Sequence, residues 1–318
     1  MKIVLVDPSR LILKVTSGYL AETGYQVSPF TDATDALAHL KDDPDVEVLV
    51  TGLEPHGMSG LDLCRLAREL AGARRALHVV VMSSTSESRR IAEALDAGAD
   101  DFMSKPPQPE EFLARLRVAA RATAAQRDLL RLATTDSLTG LLNRRAFFET
   151  VDEMPESSVC LAMFDIDRFK QINDSFGHAA GDQVIAAVAG EAGLSDGVAG
   201  RLGGEEFALL IPQARLVDAI DLCEDLRMRI AALSFAEIHE NLRATCSFGV
   251  VARGENEDVG AALQRADIAL YAAKSSGRNR VVAATAPDER RTIVMDRARK
   301  PLSDESDALR DRPRVREA

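Results

Sequence analysis

The chain has 318 residues, 46% of them hydrophobic and 28% charged, with a formal net charge of −11. That length carries two domains of ordinary size, and the acidic balance excludes a general nucleic-acid or anionic-membrane surface. Cys64, Cys160, Cys223 and Cys246 have neither zinc-site nor CxxC spacing. With no leader before the first strand and no bilayer-length apolar run, the expectation is a cytoplasmic protein that does not insert into membranes.

Residues 1–120 alternate buried strand and amphipathic helix. Apolar strands are predicted at residues 2–6, 46–50, 77–82 and 101–104, with helices between them such as 60–71 and 87–97. This rhythm predicts a doubly wound parallel sheet covered on both faces. Ligands in such sheets bind at the carboxyl ends of the strands. A long helix starts at Pro109, with Glu110 and Glu111 in its first turn. No breaker precedes Thr134-Thr135-Asp136. Phe112, Leu116, Ala119, Thr123, Gln126, Leu130 and Ala133 recur at spacings of four and three, a heptad seam weakened by Thr123 and Gln126. At 1.5 Å per residue the helix reaches roughly 35–40 Å. One helix packed on its own domain is the plainer reading. The length beyond the βα repeat, and the seam, favour a dimerising stalk over residues 109–135.

From residue 136 to 285 the order changes. Helices are predicted at 144–152, 168–173, 182–192, 216–233 and 259–275, strands at 159–164, 244–251 and 280–283, and a hairpin over 198–211. Hairpins mixed with helix pairs predict an α+β domain with a largely antiparallel sheet. Residues 286–318, rich in Arg, Asp, Glu and Pro, read as a disordered tail.

Two acidic motifs in this second domain carry chemistry. In Arg201-Leu202-Gly203-Gly204-Glu205-Glu206-Phe207, adjacent glycines between short apolar runs make a hairpin turn that presents two carboxylates. Alone, it reads as a solvated acidic hairpin. Upstream, the run Phe164-Asp165-Ile166-Asp167-Arg168-Phe169-Lys170-Gln171-Ile172-Asn173-Asp174 delivers Asp165 at the end of an apolar strand, with Asp167 placed to cap the following helix. Asp165 in the same sheet as Glu205 and Glu206 makes a carboxylate cluster of the kind magnesium uses beside substrate phosphates. The chain turns into a helix just after Asp165, where free backbone N–H groups can cradle phosphates.

These runs, together with Asp136-Ser137-Leu138-Thr139-Gly140-Leu141-Leu142-Asn143-Arg144-Arg145, Phe176-Gly177-His178-Ala179-Ala180-Gly181-Asp182, Ser247-Phe248-Gly249-Val250 and Tyr271-Ala272-Ala273-Lys274-Ser275-Ser276-Gly277-Arg278-Asn279-Arg280, resemble a GGDEF-family diguanylate cyclase over residues 134–284. The resemblance implies a domain like the nucleotide cyclase/polymerase palm. It also implies condensation of two GTP into cyclic di-GMP with release of two pyrophosphates. Carried over by position, Asp165, Glu205 and Glu206 are the catalytic acids. Asp165, Glu205, the carbonyl of Ile166 and Glu206 would bind Mg2+ or Mn2+, two ions per active dimer site. Asn173 and Asp182 would read guanine. Lys274 and Arg278 would bind the β- and γ-phosphates, with Arg168, Phe169 and Lys170 adding phosphate contacts. One domain holds one GTP, so a homodimer is implied. The family's inhibitory RxxD segment is not matched: Gly193 or Leu194 stands at the arginine position, with Asp196 near the acid position. Weak product inhibition follows.

Residues 1–120 resemble a response-regulator receiver with a flavodoxin-like fold, on Gly57-Met58-Ser59-Gly60, Ser83-Ser84, Ala97-Gly98-Ala99 and Lys105-Pro106. Asp7, Ser83 and Lys105 remain of its phosphorylation pocket. Pro8 replaces the second acid, and Gly52 occupies the phosphoacceptor position, with Glu54 nearby. An acyl phosphate needs a carboxylate at that position. The expectation is a non-phosphorylatable pseudoreceiver that serves as a dimerisation or docking module for an unknown protein partner. The alternative function is a catalytically silent sensor of GTP or cyclic di-GMP, although such proteins usually lose a turn carboxylate or the guanine readers. A phosphorylation-gated transcription regulator fails because no DNA-binding unit is present.

Overall fold

A computed structural model describes residues 1–72, 74–84, 88–154 and 159–284. The tail expected over 286–318 lies outside the described residues. The chain divides into two compact units between Ala133 and Thr134.

The first unit holds five parallel strands: β1 Lys2–Val6, β2 Gln26–Phe30, β3 Val46–Gly52, β4 His78–Ser83 and β5 Asp101–Ser104, in the order β2-β1-β3-β4-β5. Helices α1 Arg10–Leu20, α2 Ala33–Asp42, α3 Gly60–Ala71, α4 Ser88–Asp96 and α5 Pro109–Thr134 follow the strands in turn. Side chains alternate across the sheet. Ile3 and Leu5 pack with Leu13 of α1 and Phe112 and Leu116 of α5, while Val4 and Val6 pack with α2, α3 and Ala94 of α4. Ser9, Asp32 and Ser59 start α1, α2 and α3 by accepting from a first-turn backbone N–H.

Two expectations need correction here. The strand reading passed over β2, because Gln-Val-Ser-Pro-Phe is mostly half-buried and contains Pro29. An edge strand pairs on one side only and tolerates that proline. The heptad seam of α5 also means something else in its first half. Phe112, Leu116, Ala119 and Thr123 are buried on their own domain, and the Thr123 hydroxyl donates back to the Ala119 carbonyl at 3.0 Å. Large apolar side chains point outward at Val118, 49% exposed, and in the last turns at Leu129 and Leu132, 68% and 69% exposed.

The second unit is a six-stranded sheet of β6 Leu142–Asn143, β7 Val159–Ile166, β8 Val198–Gly203, β9 Glu206–Pro212, β10 Cys246–Ala252 and β11 Val281–Ala284, in the order β11-β10-β7-β9-β8-β6. Its central pairings are antiparallel. The two outer strands, β11 and the unanticipated two-residue β6, join in parallel. Helices α6 Arg144–Asp152, α7 Phe169–Phe176, α8 His178–Gly193, α9 Leu216–Ala232 and α10 Val259–Ser275 cover it. Cys160, Ala162, Phe164 and Ile166 of β7 face α7, α8 and α9. Val159 and Leu161 face α6 and α10. All four cysteines are buried and unpaired. No helix among the described residues is long and apolar enough to cross a membrane.

Candidate active site

Strand alternation puts Asp165 on the α10 side of the sheet, two residues beyond Met163 on the central strand. Its cross-strand partners are Glu206 of β9 and Ser247 of β10. One residue back, on the other face, Phe164 lies between Phe207 and Phe248, with ring centroids 5.1 and 4.7 Å apart. This apolar ladder fixes the register of three strands, and the same register sets Asp165 beside Glu206. The two-residue loop Gly204-Glu205 closes the hairpin, with φ of 150° at Gly203 and 53° at Gly204. Positive φ favours glycine at both positions. The Ile166 N–H donates to the Glu205 carbonyl at 3.4 Å, which ties the turn to the end of β7.

Asp165 is 7% exposed, and its carboxyl is pushed up to about 6. Burial is the main cause. Lys274 pulls the value down and the nearby charges of Glu205 and Glu206 push it up. Lys274 reaches Asp165 at 2.8 Å from α10. It does so because α10 lies directly on β10 at Gly249, where a Cβ would strike the Ala266 carbonyl and the Leu270 nitrogen. Ala266, Leu270 and Lys274 follow one another at i, i+4 and i+8 along that face.

The carboxylates fit a hard divalent cation. Among the described residues no three acidic, histidine or cysteine side chains converge into a closed cage. Magnesium does not require one, because it takes one or two carboxylates together with substrate phosphates and water. A buried Asp165 already strained by neighbouring Glu205 and Glu206, and already attracting Lys274, is an environment that a cation relieves.

The remaining sequence candidates lie around α7 and α10. Arg168 is the N-cap of α7 in a left-handed conformation, φ 56°, and its side chain does not cap the helix. Phe169 is buried and Lys170 exposed in the first turn. Asn173 packs against Gly181 of α8, where a Cβ would strike its Oδ1, and that oxygen is buried without a hydrogen-bond partner. Asp182 follows Gly181 and is exposed. An unsatisfied buried amide oxygen beside an exposed carboxylate suits a ligand that supplies donors. Arg278 is exposed, in a left-handed position (φ 62°) after α10, and its N–H donates to the Ala273 carbonyl at 3.0 Å.

Asp167 does not cap α7. Its carboxylate accepts from Ser247 Oγ at 2.6 Å, Thr245 Oγ1 at 2.7 Å and the Asn279 backbone N–H at 3.0 Å. It clamps the turn carrying Arg278 to the approach of β10. The sequence reading also passed over Arg201. Its Nη1 donates to Asp136 Oδ1 at 3.0 Å and its Nε to the Gly204 carbonyl at 2.9 Å. Asp136 in turn accepts from the Thr139 backbone and hydroxyl at 3.0 and 2.8 Å. Both residues stand inside the quoted runs, but no local pattern links positions 65 residues apart.

In the first unit, Asp7, Gly52, Ser83 and Lys105 gather at the carboxyl ends of β1, β3, β4 and β5. Asp7 is 1% exposed and forms an ion pair with Lys105. A Cβ on Gly52 would strike the Lys105 ammonium. The lysine therefore fills the space an acidic side chain at position 52 would need.

Residues 133–280 match the diguanylate cyclase, GGDEF domain family, and residues 3–117 match the response regulator receiver domain family. Over 283 residues the chain is 34% identical to the response regulator PleD of Caulobacter vibrioides, an alignment that covers 82% of this chain and 62% of PleD. Over 159 residues it is 45% identical to the diguanylate cyclase DgcP of Pseudomonas aeruginosa, covering 47% of this chain and 24% of DgcP. The chain thus spans less than two thirds of the length of either relative. A solved structure of the coiled coil and GGDEF domain of DgcB from Caulobacter crescentus, in complex with c-di-GMP, is 37% identical, covering 54% of this chain and 98% of that one with a TM-score of 0.47.

Proposed function

The chain belongs to the GGDEF family, in the arrangement of a response regulator receiver domain followed by a GGDEF domain, and on that premise we propose that it is a diguanylate cyclase, condensing two GTP into cyclic di-GMP. The observation that carries this reading is buried Asp165 in register with Glu206, beside the Glu205 turn and within reach of Lys274.

In the proposed reaction, each 3′-hydroxyl oxygen attacks the α-phosphorus of the other GTP. The bond from the α-phosphorus to the bridging oxygen breaks, and its electron pair leaves with pyrophosphate. Glu205 accepts the hydroxyl proton. Asp165, Glu205, the Ile166 carbonyl and Glu206 would hold Mg2+ or Mn2+, two per dimer site. Bound there, a divalent ion neutralises phosphate charge and lowers the pKa of the attacking hydroxyl. Asn173 and Asp182 read the Watson–Crick edge of guanine. Adenine would leave them unpaired, and that difference rejects ATP. Lys274 and Arg278 hold the terminal phosphates, while the α7 N-terminus at Arg168, Phe169 and Lys170 adds backbone donors. Each domain holds one GTP, so the working unit is a homodimer.

We further read the first domain as a pseudoreceiver. Gly52 offers no carboxylate, and Lys105 already neutralises Asp7. Its role is then to dimerise the chain or dock a protein partner.

The deciding assay incubates the purified chain with GTP and magnesium and looks for cyclic di-GMP. Product is expected, and Glu205→Gln lowers turnover at least about 100-fold, the loss that goes with a general base. Intact GTP binding without product would favour a silent nucleotide sensor. Undiminished turnover by Glu205→Gln would overturn the assignment of Glu205.

A further inference from the structure

Three successive residues after α10, Gly277, Arg278 and Asn279, have φ of 115°, 62° and 46°. Glycine takes such angles freely; arginine does not, and asparagine does so at some cost. A run of this kind persists only where its surroundings over-determine it. The same turn carries Arg278, proposed to bind the terminal phosphates. Whatever holds the turn therefore sets where that guanidinium is delivered.

Backbone groups hold the turn at three points. The Arg278 N–H donates to the Ala273 carbonyl at 3.0 Å, the Asn279 N–H to Asp167 Oδ2 at 3.0 Å, and the Phe248 N–H to the Arg280 carbonyl at 2.9 Å. The Asn279 side chain is held from elsewhere. Arg227 of α9 donates from Nη1 to Asn279 Oδ1 at 2.8 Å, across 52 residues of sequence. Arg227 is oriented in turn by Glu224, one turn earlier on α9, which accepts from its Nε at 2.6 Å. Both of these side chains are 17% exposed. A guanidinium with one edge on a carboxylate and another N–H on an amide oxygen has a fixed plane.

The docking of α9 does not depend on this contact. Ala219, Ile220, Cys223, Leu226 and Ile230 already bury its apolar stripe in the core, and an i, i+3 ion pair adds little to a helix. What Arg227 adds is a bond to the turn. It stands outside every sequence run quoted for the site, and no local pattern connects it with Asn279.

We propose that Arg227 is a positioning residue for recognition of the nucleotide's terminal phosphates: it orients Asn279, and through Asn279 the left-handed turn that presents Arg278. The inference rests on the reading of Arg278 as a terminal-phosphate binder. Arg227 itself touches no substrate; it acts on how well a triphosphate is distinguished from a monophosphate.

The test is equilibrium binding of 3′-deoxy-GTP and 3′-deoxy-GMP to the full chain with magnesium. Neither nucleotide has the attacking hydroxyl, and the two differ only in the β- and γ-phosphates. Arg227→Leu is expected to weaken 3′-deoxy-GTP about tenfold, the loss of one charge-assisted contact, and to leave 3′-deoxy-GMP unchanged. Asn279→Gly keeps the left-handed backbone accessible and removes the acceptor; it is expected to do the same. The double variant is expected to be no weaker than Arg227→Leu, because the two residues act as one unit. Equal losses for both nucleotides would mean a merely structural role and would overturn the proposal, as would wild-type affinities in Arg227→Leu and Asn279→Gly. An Arg278→Ala chain that still prefers the triphosphate as the wild type does removes the reading of Arg278, and the proposal with it. Loss of that preference in Arg278→Ala but in neither of the other variants removes the positioning role alone. The expected pattern in a chain that makes no cyclic di-GMP keeps the role of Arg227 and removes the cyclase reading.

Discussion

At the residue scale, Asp165 shows how a candidate site works against the fold that holds it. Its carboxyl is held at about 6 against an ordinary 3.8, chiefly by burial. Ionising it therefore costs the folded state. The benefit of the neutral acid is complete below pH 3.8 and is lost as pH rises through 6. The gap corresponds to about 3 kcal/mol, a figure already net of the attraction of Lys274. In chelator-treated protein, Asp165→Asn should unfold at a higher temperature than the wild type at pH 8, and the two should converge near pH 4. Equal midpoints at pH 8 would show that Asp165 carries no such strain. The acids of this site were legible in the sequence because their chemistry is local: a strand end, a glycine turn, two carboxylates. Arg201 and the clamping role of Asp167 were not, since their partners at Asp136, Thr245, Ser247 and Asn279 are distant in the chain.

At the scale of elements, packing decides where the charged groups arrive. Gly249 lets α10 rest on the backbone of β10, and that contact brings Lys274 to Asp165. Gly249→Ala forces α10 outward. It should cost roughly 1–3 kcal/mol, as overpacking does, and should lower turnover as well, because Lys274 moves with the helix. A urea midpoint equal to that of the wild type would refute this account of the glycine. The long helix α5 teaches the opposite lesson about sequence patterns. A heptad spacing and an ordinary helix face share the same i, i+3, i+4 positions over a few turns. Phe112, Leu116 and Ala119 belong to the core of their own domain, and periodicity alone does not say which surface buries them. β2 escaped notice for a related reason: an edge strand needs little apolar content, and Pro29 disguised it.

At the scale of the whole molecule, two domain types share one chain, and the sites proposed for them differ. The GGDEF domain carries Asp165, Glu205, Glu206, Asn173, Asp182, Lys274 and Arg278, the groups proposed for its site. In the receiver domain Lys105 pairs with Asp7 and lies where a Cβ on Gly52 would point, the arrangement behind the proposal of a pseudoreceiver. Acetyl phosphate should leave the protein unlabelled under conditions that label a competent receiver. Stable incorporation at any residue of the first domain, Glu54 included, would refute the pseudoreceiver. Sequence by itself determined the two βα and α+β rhythms, the acidic glycine turn and the residue types at positions 52, 173, 182, 274 and 278. Each of these is a matter of residue type and short-range spacing. Only the tertiary structure decided that Asp165 is buried and faces Lys274, that Asp167 is a clamp, and that Arg201 joins Asp136 to the glycine turn. Those facts depend on which strand lies next to which and on how closely a helix approaches a sheet. Backbone packing sets both, across separations that no local pattern spans.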